Sequence, residues 1–414
     1  MQDDYFSNIP DELIVSVLSF LNTHEAARTS LLARRFRHLW KSSLSINIFS
    51  TQIGKFVAMA DRAILQRNPV EPLLNLRLFN AFIPNKSLPV SLISSCLIKA
   101  CNLDLRHLII HDSMLDLEPI LPIIFSIHSL ESLRLDSYKL SKEYSFPSAT
   151  MLRCLKSLRF FVFQVSSAKF NRLLLELCCL EDLHLEMMIE RVFSISSQTI
   201  RRLKLTRNPR TVYLELSTPS LELLHYESDR VPCIRGDTPS LRKVVFKFDD
   251  VTGKDVNAMV GLLKYISHAE ELTLKIKEDK DEMYPFSILL EPGKIAATFS
   301  RLKHLDVTAC FHKFNLQDVV TLLHHSPALE SVMLVHKAAA SCNNFGANKR
   351  KKKDWASKLP LNADGNRCYA YFLDLHLGKN SEEFMKLLNK KFTPKRQRMK
   401  PQSKKCTFLK NRGC

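Results

Sequence analysis

Leu130-Glu131-Ser132-Leu133-Arg134-Leu135 is answered 25 residues later by Leu155-Lys156-Ser157-Leu158-Arg159-Phe160, and 25 after that by Leu180-Glu181-Asp182-Leu183-His184-Leu185. The last three positions of each phrase alternate apolar, polar, apolar, the pattern of a short strand with one buried face. The phrase recurs outward in both directions, from Leu73 and Leu105 before it and from Ile200, Leu221, Leu241, Ala269, Leu302 and Leu329 after it. Start-to-start steps are 32, 25, 25, 25, 20, 21, 20, 28, 33 and 27 residues. A single coil of that length cannot bury its apolar face, whereas stacked coils bury it continuously, which is the physics of a solenoid. Leu133, Leu158, Leu183, Leu203 and Leu224 are therefore expected to be buried at equivalent positions. Helices or turns are expected on the return paths, with helices at Leu173–Cys178 and Val319–His325. Prolines in Thr218-Pro219-Ser220, Thr238-Pro239-Ser240 and Ser326-Pro327-Ala328 mark where a return path stops and a strand begins.

The N-terminal region has a different period. In Ile9-Pro10-Asp11-Glu12-Leu13-Ile14-Val15-Ser16-Val17-Leu18-Ser19-Phe20-Leu21, the residues Leu13, Val17 and Leu21 recur at helical spacing beside Ile14 and Leu18. Pro10 suits a first helical position, and Asp11 and Glu12 suit the positive end of the helix dipole. Thr23 is the expected cap of a second helix. A third short helix is expected over Arg34–Trp40. Three such helices bury too little surface to stand alone and need a partner or a neighbouring domain.

These residues resemble an F-box. The resemblance rests on Ile9-Pro10, Asp11-Glu12, Leu13, Val17-Leu18, Phe20-Leu21, Arg28-Thr29-Ser30-Leu31-Leu32 and Arg37-His38-Leu39-Trp40. It departs from the family pattern at Ile9, Ala33 and Phe36. The repeats resemble those of plant F-box/leucine-rich-repeat proteins, and Phe56-Val57 with Asp61-Arg62-Ala63-Ile64-Leu65 match that family's linker. A regular asparagine ladder is not expected, since only Asn208 and Cys310 occupy its place. The implied fold is α/β: a small three-helix F-box over 1–45, a linker helix over 46–72, an irregular leucine-rich-repeat solenoid over 73–336, and a basic, partly disordered region over 337–414. The implied function is substrate recognition in an SCF-type (Skp-cullin-F-box) ubiquitin ligase. Adaptor contact is then expected from Ile9, Pro10, Leu13, Val17, Leu18, Phe20, Leu21, Leu32, Phe36, Leu39 and Trp40. The implied partners are a Skp-family adaptor, a cullin scaffold behind it and an unidentified protein target.

The polar positions inside the phrases face away from the buried side. Arg134, Arg159, His184, Arg202, Lys204 and His225 are the candidates for holding a target with an acidic or phosphorylated segment, since arginine pairs both groups in bidentate fashion. Asp182 among them is expected to neutralise part of the charge, and the alternative is a solvated strand face with no partner. The net charge of +18 is unevenly placed. Residues 349–414 hold 19 Lys/Arg and 5 Asp/Glu, a net of +14, leaving 18 − 14 = +4 for the rest. The run Lys349-Arg350-Lys351-Lys352-Lys353 fits a nuclear-import signal or a nucleic-acid contact. A structured patch is expected near Tyr369–Leu377 and a helix over Ser381–Lys390. The rival readings are a nuclear nucleic-acid-binding protein acting through this tail and a non-degradative repeat scaffold. The tail reading gives no reason for residues 8–41, so nucleic acid is not the expected partner.

Catalytic chemistry finds no footing. The chain has 9 glycines without phosphate-loop spacing and no Cys-x-x-Cys pair. Cys178-Cys179 and His324-His325 are adjacent pairs, whose side chains diverge and make poor metal clips. No cofactor, metal, membrane span or secretion signal is expected, and the expected location is nucleus or cytoplasm.

Overall fold

The computed structural model describes residues 8–67, 70–80, 87–137, 139, 146, 150–161, 166–186, 191–207, 212–249, 256–276, 298–309, 325–337 and 368–374. The chain divides into two compact units, one of residues 1–190 with 194–200 and one of 191–193 with 201–414.

The first unit opens with three short helices, α1 (Asp11–Leu18), α2 (Thr23–Arg28) and α3 (Phe36–Leu39). Then come β1 (Ser45–Ser50), α4 (Ile53–Ala60) running into a π-helical turn at Asp61–Leu65, β2 (Asn75–Asn80), α5 (Val90–Cys101), β3 (His107–His111), α6 (Leu121–Phe125), β4 (Ser132–Asp136), β5 (Ser157–Phe161), α7 (Ser167–Glu176) and β6 (Asp182–Glu186). The strands β1 to β6 pair in chain order, all parallel. After β7 (Val192–Ser196), the second unit continues with β8 (Arg202–Thr206), β9 (Tyr213–Ser217), β10 (Leu223–Ser228), β11 (Cys233–Asp237), β12 (Lys243–Phe248), α8 (Val256–Tyr265), β13 (Glu271–Ile276), β14 (His304–Ala309), β15 (Ser331–Lys337) and β16 (Cys368–Asp374). Here β8, β10, β12, β13, β14 and β15 pair parallel in that order, and β16 closes on β15 antiparallel.

Every phrase beginning from Leu73 to Leu329 forms one of these parallel strands. Leu133, Leu158 and Leu183 share one buried row in the first unit, at 1%, 3% and 1% exposure. Leu203 and Leu224 are buried and in register with each other in the second. Successive coils also share a hydrogen-bond device just before the strand. One carbonyl accepts two consecutive amides of the next coil: Glu131 O from Lys156 N (2.8 Å) and Ser157 N (3.1 Å), and Lys156 O from Glu181 N and Asp182 N (both 2.9 Å). The proline turns work as expected, with Leu221 N donating to Thr218 O (3.0 Å), Leu241 N to Thr238 O (3.1 Å) and Leu329 N to Ser326 O (3.2 Å).

The unequal steps have a geometric cause. Four of the coils of 25 residues or more carry α5, α6, α7 or α8 on the return, whereas the three of 20 or 21 residues carry β7, β9 or β11 instead. An extended chain covers about 3.3 Å per residue and a helix about 1.5 Å, so fewer residues span the same return as a strand. Helices or turns were the expectation for these segments, and strands replace them there. Gly236 in β11 has φ +111°, and a Cβ at that position would fall 2.0 Å from Leu216 O of β9, so only glycine fits this approach.

Several expected boundaries move. Pro10 caps α1, which begins at Asp11. Asn22, not Thr23, caps α2, accepting from Glu25 N at 2.9 Å. Thr23 is buried, and its Oγ1 accepts from Asn47 N at 2.8 Å, tying α2 to β1. The segment expected as a linker helix starts as a strand, because Leu44 O accepts Leu74 N (2.9 Å) and Asn75 N (3.0 Å), as Leu74 O does for Arg106 N and His107 N in the next coil. The expected helix at Leu173–Cys178 starts earlier, as α7. The patch expected near Tyr369 is β16, so part of the basic C-terminal region belongs to the sheet. Asn208, Cys310, most of Val319–His325, Lys349–Lys353 and Ser381–Lys390 lie outside the described residues.

One buried cation locks the helices to the first strands. Arg67 is 3% exposed. Its Nη2 donates to Ser43 O (2.9 Å) and Pro72 O (2.7 Å), its Nε to Glu71 O (3.3 Å), and its Nη1 to Lys41 O. Burial lowers its pKa, and the nearby Glu71 carboxylate works in the opposite direction. Four carbonyls from two chain segments thus converge on one guanidinium, a geometry the lysine ammonium cannot reproduce. Arg67→Met should lower stability to chemical denaturation by about 3 kcal/mol by orphaning these carbonyls, and Arg67→Lys should recover only part of it. Leu158→Ala should cost about 2–5 kcal/mol in the same measurement.

Candidate docking faces

The wide apolar stripe of α1 splits into two. Ile14 and Leu18 turn inward and are buried, while Leu13 (57% exposed), Val17 (61%) and, just past the helix, Phe20 (86%) face outward. Leu31 and Leu32 add to the exposed set at 83% and 76%. Arg35 fixes the start of α1, pairing with Asp11 at 2.6 Å and donating to Ile9 O. Of the residues expected at the adaptor, Pro10, Leu13, Val17, Phe20 and Leu32 are exposed, and Ile9, Leu21, Phe36 and Leu39 are half-buried. Leu18 and Trp40 are buried, so they support the face from within rather than line it. Leu31 was missed, although it lies in the quoted motif. The sequence expectation names its neighbour Leu32, and helical spacing alone does not place residues in the short 3₁₀ turn Thr29–Leu31. Exposed large apolar residues gathered this way mark an interaction surface.

The outward side of the sheet carries charge, most of it paired within the chain. In the first unit, Arg134, Arg159 and His184 are register partners on β4, β5 and β6. Arg134 Nε donates to Asp136 Oδ2 at 2.6 Å, and His111 Nδ1 lies 3.2 Å from the same oxygen. Arg159 lies 3.6 Å from Asp136 Oδ1 and 3.4 Å from Glu186 Oε2. Burial would raise Asp136, but hydrogen bonds from His111 and Arg134 and the charges of Arg134 and Arg159 outweigh it and hold the carboxyl below its ordinary value. Asp182 was the expected neutraliser of this row; Asp136 and Glu186 pair with its arginines.

In the second unit, Lys204 and His225 are register partners on β8 and β10, and Arg202 is exposed at the start of β8. Glu227 Oε2 sits 3.5 Å from His225 Nε2 and 3.3 Å from Lys247 Nζ. Burial, then Lys204 and Lys247, lower the His225 pKa against the pull of Glu227, so the imidazole is neutral at neutral pH. The missed carboxylates share a signal, since Arg134-x-Asp136, His184-x-Glu186 and His225-x-Glu227 each place base and acid on one strand face. Among the described residues there is no cluster that could hold a metal ion, and no helix is long and apolar enough to cross a membrane.

An F-box-like helical module joined to in-register, leucine-rich parallel strands defines a class, the F-box proteins with leucine-rich repeats. The sequence pattern described as "At1g61320/AtMIF1, LRR domain" matches residues 123–353, more than half of the chain, and the F-box domain pattern matches residues 6–46. The chain belongs to this plant F-box/leucine-rich-repeat family. Its relatives include three Arabidopsis thaliana proteins. The F-box protein At1g80960 is 28% identical over 59% of this chain and 53% of its own length. The FBD-associated F-box protein At4g10400 is 25% identical over 80% and 77%. The F-box protein At4g09920 is 24% identical over 72% and 94%. The chain thus spans about half the length of At1g80960 and more of the other two.

The low folded pKa of Asp136 makes the pairing pH-dependent with a definite sign. Its stabilisation is full above the ordinary aspartate range, near pH 4, and is lost as pH falls through the folded value. Asp136→Asn should therefore destabilise the fold by about 1–3 kcal/mol at pH 7. Denaturation in a pH series should show the gap between the two proteins closing as pH drops below about 4.

Proposed function

We propose that this chain is the substrate-recognition subunit of an SCF-type (Skp-cullin-F-box) ubiquitin ligase in the nucleus or cytoplasm. The F-box docks on a Skp-family adaptor and through it on a cullin scaffold. The repeats act as a leucine-rich-repeat solenoid that holds a protein target. The chain itself catalyses nothing in this reading; it raises the effective concentration of a target lysine near the activated ubiquitin. One observation carries the reading: Leu13, Val17, Phe20, Leu31 and Leu32 stand exposed on a module in which Ile14, Leu18 and Trp40 are buried.

The target is proposed to meet the outward strand residues, Arg134, Arg159 and His184 on one unit and Arg202, Lys204 and His225 on the other. An acidic segment reaching Arg134 and Arg159 must exchange with Asp136 and Glu186, which selects for ligands presenting more than one negative charge.

The test uses Leu13→Ala together with Val17→Ala. Both side chains are solvent-exposed, so the fold should persist while affinity for a Skp-family adaptor falls at least about tenfold, as removal of two central apolar contacts does. Undiminished co-purification of the double variant with the adaptor would remove the basis for the reading.

A further inference from the structure

Three exposed cysteines lie in two stacked turns of the first unit. The turn before β5 is Leu152-Arg153-Cys154-Leu155, closed by Leu155 N donating to Leu152 O at 3.2 Å. The turn before β6 is Leu177-Cys178-Cys179-Leu180, closed by Leu180 N donating to Leu177 O at 3.1 Å. The leucines of both turns are buried, which anchors the turns and leaves the cysteines at the surface. The strands that follow are in register with Ser157 opposite Asp182, an offset of 25 residues. Carried three residues back, that register sets Cys179 against Cys154 and Cys178 against Arg153. The second placement shows directly in a contact, since Cys178 Sγ donates to Arg153 O at 3.8 Å. Cys178 is thereby turned to a carbonyl, and Cys179 holds the position that the register sets against Cys154. Partial burial first, then the charge of Cys178 and a side-chain hydrogen bond with it, and then the charge of Cys154, hold the Cys179 thiol above its ordinary value.

Residues in register on adjacent strands are about 4.8 Å apart, inside the range of about 4.4–6.8 Å between Cα atoms that a disulfide requires. Cys178 and Cys179 are hydrogen-bonded neighbours in one turn, so a bond between them is the product that competes with the cross-coil link. Cys96 offers a contrast: it is buried, and burial followed by the charge of Asp61 pushes its thiol up to about 12.

We propose that Cys154 and Cys179 are a modification site, a thiol pair that a low-molecular-weight disulfide of the glutathione class converts to a cross-coil disulfide. One cysteine thiolate attacks the small disulfide, forming a mixed disulfide and releasing one glutathione thiolate. The second cysteine thiolate attacks the protein sulfur of that mixed disulfide, and the second glutathione leaves. Two electrons pass from the cysteines to the small disulfide, and their two protons end on the two glutathione thiols. The new bond joins consecutive coils at the mouth of β5 and β6, five residues before Arg159 and His184. It would fix the spacing of the strands that carry the charged row.

The experiment treats the folded full-length chain with oxidised glutathione, alkylates the remaining thiols, and maps the linked peptides by mass spectrometry after proteolysis. Cys154 joined to Cys179, with Cys178 alkylated, is the expected main product, lighter than the separate peptides by two hydrogens. Cys178→Ser should leave its yield within twofold, and Cys154→Ser should abolish the cross-coil link. Mixed glutathione disulfides alone, a Cys178–Cys179 link alone, or Cys154 joined mainly to any other cysteine would overturn the proposal.

Discussion

A strand with two leucines on one side exposes an apolar face that its own coil is too short to cover. Within each unit, such faces are covered by neighbouring coils, and that mutual dependence sets most of what is seen. It explains why Leu133, Leu158 and Leu183 fall in one row and why one carbonyl takes two amides from the coil that follows at successive steps within each unit. It also explains why coil length can vary freely: only the strand and its approach must stay in register, while the return path needs no more than to reach the next strand. Twenty residues suffice when the return is extended, and 25 or more accommodate a helix. The same dependence makes the first strand a problem, since β1 has no repeat coil before it. The N-terminal helices stand at that edge, with Thr23 bonded to the β1 backbone and Arg67 gathering carbonyls on either side. The F-box-like module is therefore held within the first unit by buried polar groups rather than left on a flexible tether.

Once the inner face is committed to burial, alternation leaves the outer face free to vary, and there charge is arranged rather than accumulated. Arg134 and Arg159 stand beside carboxylates that are nearly buried, so their positive charge is held in place and largely balanced. A ligand acidic enough to displace Asp136 and Glu186 would gain two preoriented arginines, and a weakly acidic one would gain little. The arrangement favours selectivity over raw attraction, in keeping with the nearly neutral repeat region outside the basic tail.

The repeat strands were legible because the phrase reports burial directly: each of its apolar positions contributes to the core, and only the step lengths needed interpretation. The segment at Leu44–Ser50 escaped notice because its apolar positions are isoleucines outside a full leucine phrase. The strand β16 was legible only as a structured patch near Tyr369–Leu377, because it follows a long stretch without the repeat pattern. In the N-terminal module, helical spacing found the apolar residues of α1 but could not tell the inward pair Ile14 and Leu18 from the outward Leu13 and Val17. That distinction depends on where α3 and Trp40 pack, which is tertiary information. The basic row was legible by strand alternation. The same alternation could have exposed Asp136, Glu186 and Glu227 two residues further on, had acids been read with the same rule as bases. Arg67 carried no sequence signal, because a lone arginine after a helix gives no hint that four carbonyls meet it.

The central claim is that the exposed face of α1 and the turn after α2 is where the ligase adaptor sits, with the repeat strands left open for a target. Amide hydrogen exchange of the whole chain, with and without a saturating recombinant Skp-family adaptor, tests it most directly. The account predicts slowed exchange confined to Leu13–Leu21 and Leu31–Phe36, with the amides of β5 and β10 exchanging at unchanged rates. Protection appearing on the strands instead, or no protection anywhere at saturating adaptor, would contradict it.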